Sequence, residues 1–197
     1  MSATLAAATD NECTVACKDG YTQTSGNATY TCPIGGGDPT TDLVCTENTC
    51  TIPSFGTGVQ AGASDPCEVS GTLAAATDNE CSIACMDGYT QTSGNATYTC
   101  PESGGTATTT LVCTENTCTI PSFGTGVQVG ASDPCQVSGT LTAVTNPECL
   151  IACMSGYNQT SGDATYTCPT DGGAPITDLV CTENTCTIPS FGTGVQA

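Results

Sequence analysis

Histidine, arginine and tryptophan are absent from these 197 residues, and lysine occurs once, as Lys18. Each absence removes a class of function. Without Lys and Arg nothing can displace counterions from a phosphate backbone, so nucleic-acid binding is excluded. Attraction to anionic lipid is excluded for the same reason. Without His, and with one Lys, general acid–base catalysis lacks its usual groups. The Ser and Thr hydroxyls have no evident activating base, and no catalytic residue is assigned. Aromatic residues make up only 5% of the chain, too few for large cores. No apolar run is long enough to span a bilayer, so no membrane insertion is expected.

What is present is a repeat. The sequence TENTCTIPSFGTGVQ occurs letter for letter at residues 46–60, 114–128 and 182–196, with a period of 68. From Cys50 the cysteines step 17, 14, 4, 15, 13 and 5 residues to Cys118, and the same steps lead on to Cys186. A period of this kind means tandem units and not one large core. The opening MSATLAAATDNEC resembles a signal peptide only superficially. It lacks a basic first segment, and LAAATDNEC recurs at residues 73–81, so it reads as repeat.

Small units have too much surface for their volume to be stabilised by burial alone. Seventeen cysteines supply the alternative, and in a small Cys-rich unit they imply an oxidising, extracellular setting. Zinc would need Cys and His clustered at short spacing. Only Cys13/Cys17, Cys81/Cys85 and Cys149/Cys153 lie close together, so no metal site is assigned. The net charge of −18 reads as a solvated, self-repelling surface. Weak calcium binding in acidic loops such as residues 78–80 is the sharper reading, but no EF-hand pattern accompanies it. No cofactor is expected beyond covalent glycans.

Within a period the pattern is all-β. Short Thr-, Val- and Tyr-rich runs suit strands, and Gly, Pro, Asn, Asp and Ser cut the chain every few residues. Residues 20–31 read as a hairpin with its loop at residues 23–26. The variable stretches at residues 34–42, 102–110 and 170–178 read as exposed loops.

Four motifs recur together. In the third copy they are Cys118-Thr-Ile-Pro-Ser-Phe-Gly, Cys153-Met-Ser-Gly-Tyr, Ala164-Thr-Tyr-Thr-Cys168 and Leu179-Val-Cys181. This combination resembles the sushi, or complement control protein, module, and the resemblance covers nearly the whole chain. It departs from that family in two ways. Leu43, Leu111 and Leu179 stand near the place of the family's Trp, and two further cysteines appear per period. The resemblance implies tandem small disulfide-rich β modules, in an extended bead-on-string or filament arrangement. A partial module occupies residues 1–45, full modules occupy 50–113 and 118–181, and a further one opens at 186–197.

Six cysteines allow fifteen pairings, and spacing does not choose among them. The sushi pattern joins first to third and second to fourth. Carried over, it implies Cys17–Cys45, Cys50–Cys100, Cys85–Cys113, Cys118–Cys168 and Cys153–Cys181. The additional pairs would be Cys67–Cys81 and Cys135–Cys149. Cys13, Cys32 and Cys186 are left over. When the end of one copy is set before the start of another, Cys186 falls in the place Cys32 needs. The composite module then lacks only a counterpart of residues 62–68, and Cys13 stays unpaired. Head-to-tail joining of copies, with Cys186–Cys32 between subunits, is one expectation from this phase, and such a contact builds a filament. A window from a longer repeat protein is the other.

Asn27 and Asn95 open Asn-x-Thr sequons. The matching third-copy residue is Asp163, and a new sequon opens at Asn158. If residues 159–162 form a hairpin loop, positions 158 and 163 face each other and the glycan leaves from the same patch. Thr40, Thr41, Thr106, Thr108, Thr109 and Thr110 are candidates for O-glycosylation. Two functions follow. One is a structural extracellular glycoprotein, filament or surface coat, supported by the near-identity of the copies. The other is an adhesion or receptor ectodomain that binds a protein or glycan.

Overall fold

A computed structural model describes residues 5–9 and 11–188. The described residues form strands and no helix. In the first copy these are β1 (Glu12–Thr14), β2 (Tyr21–Ser25), β3 (Thr29–Thr31) and β4 (Val44–Glu47). The second copy has β5 (Thr49–Thr51), β6 (Val59–Ala61), β7 (Thr72–Ala74), β8 (Glu80–Cys85), β9 (Tyr89–Ser93), β10 (Thr97–Thr99), β11 (Gly105–Thr106) and β12 (Val112–Glu115). The third has β13 (Thr117–Thr119), β14 (Val127–Val129), β15 (Thr140–Thr142), β16 (Glu148–Cys153), β17 (Tyr157–Ser161), β18 (Thr165–Thr167) and β19 (Val180–Glu183).

Alternation along the strands explains which residues are inside. In β8, Cys81 and Ile83 point inward while Glu80 is exposed, and β16 repeats this with Cys149 and Ile151. The sheets are small: β6-β8-β10, β7-β5-β11 and β9-β12 in the second copy, and β14-β16-β18, β13-β15 and β17-β19 in the third. The first copy keeps two pairs, β1-β3 and β2-β4.

By packing, the chain divides into two compact units: Met1–Cys85 with Gln91–Cys113, and Met86–Thr90 with Thr114–Ala197. The core of the first unit gathers Cys50, Ile52, Cys67, Leu73, Ile83, Tyr98, Cys100 and Leu111, among others. Phe55 stacks on Tyr98 with ring centroids 6.2 Å apart. The second unit repeats this with Cys118, Ile120, Cys135, Leu141, Ile151, Tyr166 and Cys168, and Phe123 stacks on Tyr166 at 6.3 Å. Leu111 is buried and Leu179 packs against the second core.

Two expectations are corrected. Residues 20–31 do not form a hairpin. β2 continues through residues 23–25 and pairs with β4, whereas β3 pairs with β1. In the third copy β17 pairs with β19, and Asn158 stands opposite Thr182, not Asp163. Cys17–Cys45 and Cys153–Cys181 draw the later strands onto β2 and β17, while backbone pairing with β1 and β16 holds β3 and β18 in different sheets. The second correction concerns residues 102–110. Gly105–Thr106 form β11, parallel to β5, and Ala107 is buried in the core.

Candidate functional site: the joint between repeats

The chain from one copy's last cysteine to the next copy's first reads as a short linker, Thr-Glu-Asn-Thr. In the two internal joints it instead runs from strand to strand: Glu47 and Glu115 end β4 and β12, Thr49 and Thr117 open β5 and β13, and only Asn48 and Asn116 lie between. In the first unit Asn48 bonds in four directions. Its N–H donates to the Gly20 carbonyl at 2.8 Å, and its carbonyl accepts from the Ala75 N–H at 2.9 Å. Its side-chain Nδ2 donates to the Glu102 carbonyl at 2.5 Å, and its Oδ1 accepts from the Thr22 hydroxyl at 2.6 Å. Two of these partners lie before Asn48 in the chain and two after it, so one side chain ties two copies together.

Glu47 adds a clasp. One carboxylate oxygen accepts from the N–H groups of Ala76 and Thr77 at 2.9 and 2.8 Å, and the Thr77 hydroxyl donates as well. Desolvation works to raise the Glu47 pKa, but the bonds from Ala76 and Thr77 outweigh it, so the pKa lies below the ordinary value. Hydrogen bonds to the charged form act in this direction.

The second unit contains the same joint. Asn116 donates its N–H to Gly88 and its Nδ2 to the Thr170 carbonyl, and it accepts from Ala143 N–H and the Thr90 hydroxyl. Glu115 accepts from the N–H groups of Val144 and Thr145 at 2.8 and 2.7 Å. The Thr145 N–H bond leads in lowering its pKa. Desolvation opposes this, and bonds from Val144 and the Thr145 and Thr142 hydroxyls add to it. Glycines permit the close approach. Gly20 and Gly88 have φ near +81° and +85°, a region in which side chains are disfavoured. A Cβ on Gly20 would lie 2.9 Å from the Ala76 methyl, and one on Gly88 would collide with Val144.

Sequence reading takes the glycine only as part of the Cys-x-x-Gly-Tyr motif and Thr-Glu-Asn-Thr only as a linker, and gives the Glu and Asn no role in joining repeats. The signal was available in the exact recurrence of Glu-Asn at the same phase in all three copies.

The structure brings together Cys17 with Cys45, Cys50 with Cys100, Cys67 with Cys81 and Cys85 with Cys113. It also joins Cys118 with Cys168, Cys135 with Cys149 and Cys153 with Cys181. Cys13, Cys32 and Cys186 are free thiols, with Cys32 buried and the other two exposed. Asn27, Asn95 and Asn158 are all exposed, as are Thr40, Thr41, Thr106, Thr108 and Thr110, whereas Thr109 is half-buried. Residues 189–197 of the opening fourth copy lie outside the described residues, as do residues 1–4.

No family model matches the chain. The chain is 24% identical, over 186 residues, to the mouse (Mus musculus) protein "Sushi, von Willebrand factor type A, EGF and pentraxin domain-containing protein 1". The match covers 91% of this chain but spans only 4% of that protein's length. A distant sushi-containing relative and a disulfide-rich, all-β structure together fit a sushi-like module.

Proposed function

We propose that the chain belongs to an extracellular structural glycoprotein in which sushi-like repeats join head to tail into a filament or surface coat. The observation that carries this reading is the joint, built twice, in which the Asn48 and Asn116 side chains each bond residues of two successive copies; Cys32 then offers a covalent step. Its sulfur lies 4.0 Å from the Leu5 carbonyl and 3.9 Å from that of Pro33. Cys100 has the same surroundings, 3.9 Å from the Leu73 carbonyl and 3.6 Å from that of Pro101, and is bonded to Cys50. Cys32 thus has the surroundings of a bridged cysteine. Cys186 has the phase of Cys50 and Cys118 and is exposed.

The joining step is an oxidation. The Cys186 and Cys32 thiols lose two protons and two electrons as the S–S bond forms. A low-molecular-weight disulfide takes up both and leaves as two thiols. Glycans on Asn27, Asn95 and Asn158 would coat the assembly. The pairing of acidity with disulfides suits a secreted or cell-surface location. Among the described residues no helix is long and apolar enough to cross a membrane.

A second reading is an adhesion or receptor ectodomain. It is favoured by the similarity to a protein that carries several other module types. Denaturing gels of deglycosylated native material, with and without reductant, separate the two. The structural reading expects a ladder that collapses on reduction to the 19.6 kDa of one chain. Material that stays larger after reduction shows a longer continuous chain. A single 19.6 kDa band in both lanes, monomeric before denaturation, favours the ectodomain.

A further inference from the structure

Asp-Pro occurs three times in the chain, at residues 38–39, 65–66 and 133–134. Such a bond is especially open to attack from within. The Asp carboxyl can close a five-membered ring on its own main-chain carbonyl carbon, and an intramolecular nucleophile acts at a high effective concentration. The tertiary amide nitrogen of proline then leaves as a basic secondary amine. In an unfolded chain the three bonds are alike, and the fold makes them different.

Among the described residues, four other than glycine have a left-handed backbone, and two of these are Asp65 (φ +48°) and Asp133 (φ +44°). Asp tolerates that region better than most residues. A residue before proline, however, is pushed towards extended backbone, so both positions are strained on two counts. Asp38 has no positive φ. The strained loops are clamped on both sides of the bond. The Gly62 and Cys67 N–H groups donate to the Ser82 carbonyl at 3.0 Å, and Cys67 is bridged to Cys81. Gly130 and Cys135 hold the Leu150 carbonyl in the same way, and Cys135 is bridged to Cys149.

The clamp also polarises the carbonyl. The Ser82 N–H donates to the Asp65 carbonyl at 2.8 Å. Ser82 Oγ lies 3.1 Å from the same oxygen and shares its proton with the Ser64 carbonyl. In the third copy the Leu150 N–H donates to the Asp133 carbonyl at 2.8 Å, and leucine has no hydroxyl to add. Donors held in place stabilise negative charge as it develops on a carbonyl oxygen. Asp65, Pro66, Asp133 and Pro134 are all exposed to water. A cavity of about 230 Å³ opens beside Asp133 and Pro134.

We infer that the Asp65–Pro66 bond is a self-cleavage site. The Asp65 carboxyl oxygen adds to the Asp65 main-chain carbonyl carbon, and the oxyanion forms against the Ser82 donors. The carboxyl proton passes through solvent to the Pro66 nitrogen, and the C–N bond breaks. A cyclic anhydride remains on Asp65, and water opens it to two carboxyl groups. One water is consumed, and nothing is oxidised or reduced. Asp133–Pro134 follows the same course more slowly. Neither cut releases a fragment, because Cys50–Cys100 spans the first and Cys118–Cys168 the second. The cleaved chain is continuous through disulfides and separates only where thiols reach it. The inference does not depend on how copies join.

The test incubates the full oxidised chain, with protease inhibitors, in mildly acidic buffer and follows its mass before and after reduction. The expected result is an intact chain heavier by one water, which reduction splits into residues 1–65 and 66–197. Cleavage at 65–66 should run about tenfold faster than at 38–39, the effect of relieving one strained backbone position, with 133–134 between them. Ser82→Leu, which introduces the residue already present at position 150, should slow 65–66 to the rate of 133–134. Asp65→Asn keeps a residue at home in left-handed backbone and should stop the cut. Equal rates at the three bonds of the folded chain overturn the inference. So does cleavage that survives Asp65→Asn, which would point to a protease. A preference for 65–66 that persists in reduced, denatured chain would place the cause in local sequence and overturn it as well.

Discussion

The first and second copies carry nearly the same residues between their third and fifth cysteines, yet they are finished to different degrees. In the second copy β5 pairs with β7, Leu73 is 5% exposed, and Tyr98, stacked with Phe55, is 5% exposed. In the first copy no described strand covers Leu5, and Tyr30 is 38% exposed. The opening strand with its cysteine therefore completes the core, and a repeat without it keeps its later sheets but not its lid. What the lid adds is apolar burial, roughly 25 cal/mol per Å², together with a covalent lock.

The largest break in that comparison comes from the lock. Cys50→Ser with Cys100→Ser should cost the first unit about 2–5 kcal/mol or abolish its folding. The readout is chemical denaturation, and Cys32→Ser, whose thiol is already free, should cost far less. Next is the surface beneath the lid. Leu73→Ala or Leu141→Ala should cost about 2–3 kcal/mol, the lower part of the range for buried leucine, because these small cores can relax. Leu5→Ala should cost under about 1 kcal/mol, and equal losses at Leu5 and Leu73 would erase the contrast between copies. Third, Asn116→Ala removes two side-chain hydrogen bonds at a half-buried joint. Each is worth about 0.5–1.5 kcal/mol, so a loss of about 1–3 kcal/mol in the second unit is expected.

The smallest effect is electrostatic. Glu47 and Glu115 have depressed pKa values in the folded chain, so each clasp binds its proton less readily than the unfolded chain does. Their contribution is complete above the ordinary carboxyl value of 4.5 and fades as pH falls through the lower folded value. Corrected for the intrinsic pH dependence of exchange, amide protection at Ala76, Thr77, Val144 and Thr145 should drop severalfold on acidification through that window. Glu47→Gln and Glu115→Gln should show reduced protection at all pH values. Protection that does not respond to pH in the parent chain would show that the clasps hold nothing.

The repeat, the all-β class and the dependence on disulfides were legible in the sequence. Each follows from local facts: a fixed cysteine phase, Thr- and Tyr-rich runs cut by turn residues, and too few aromatics for a large core. Which strands pair was not legible. Residues 21–25 and 29–31 look like a hairpin because they are neighbours with a turn signal between them. The Cys17–Cys45 bridge, closing 28 residues, and the pairing of β3 with β1 give them other partners, and contacts at that range leave no local pattern. The joint was hidden for a related reason. Thr-Glu-Asn-Thr is short, polar and linker-like in composition, and its carboxylate and amide acquire roles only when the loop at residues 76–77 or 144–145 is folded against them. Composition and phase thus determined what each repeat is made of. Tertiary structure alone decided how one repeat holds the next, because backbone N–H groups, common to every residue but proline, become a specific site only through their placement.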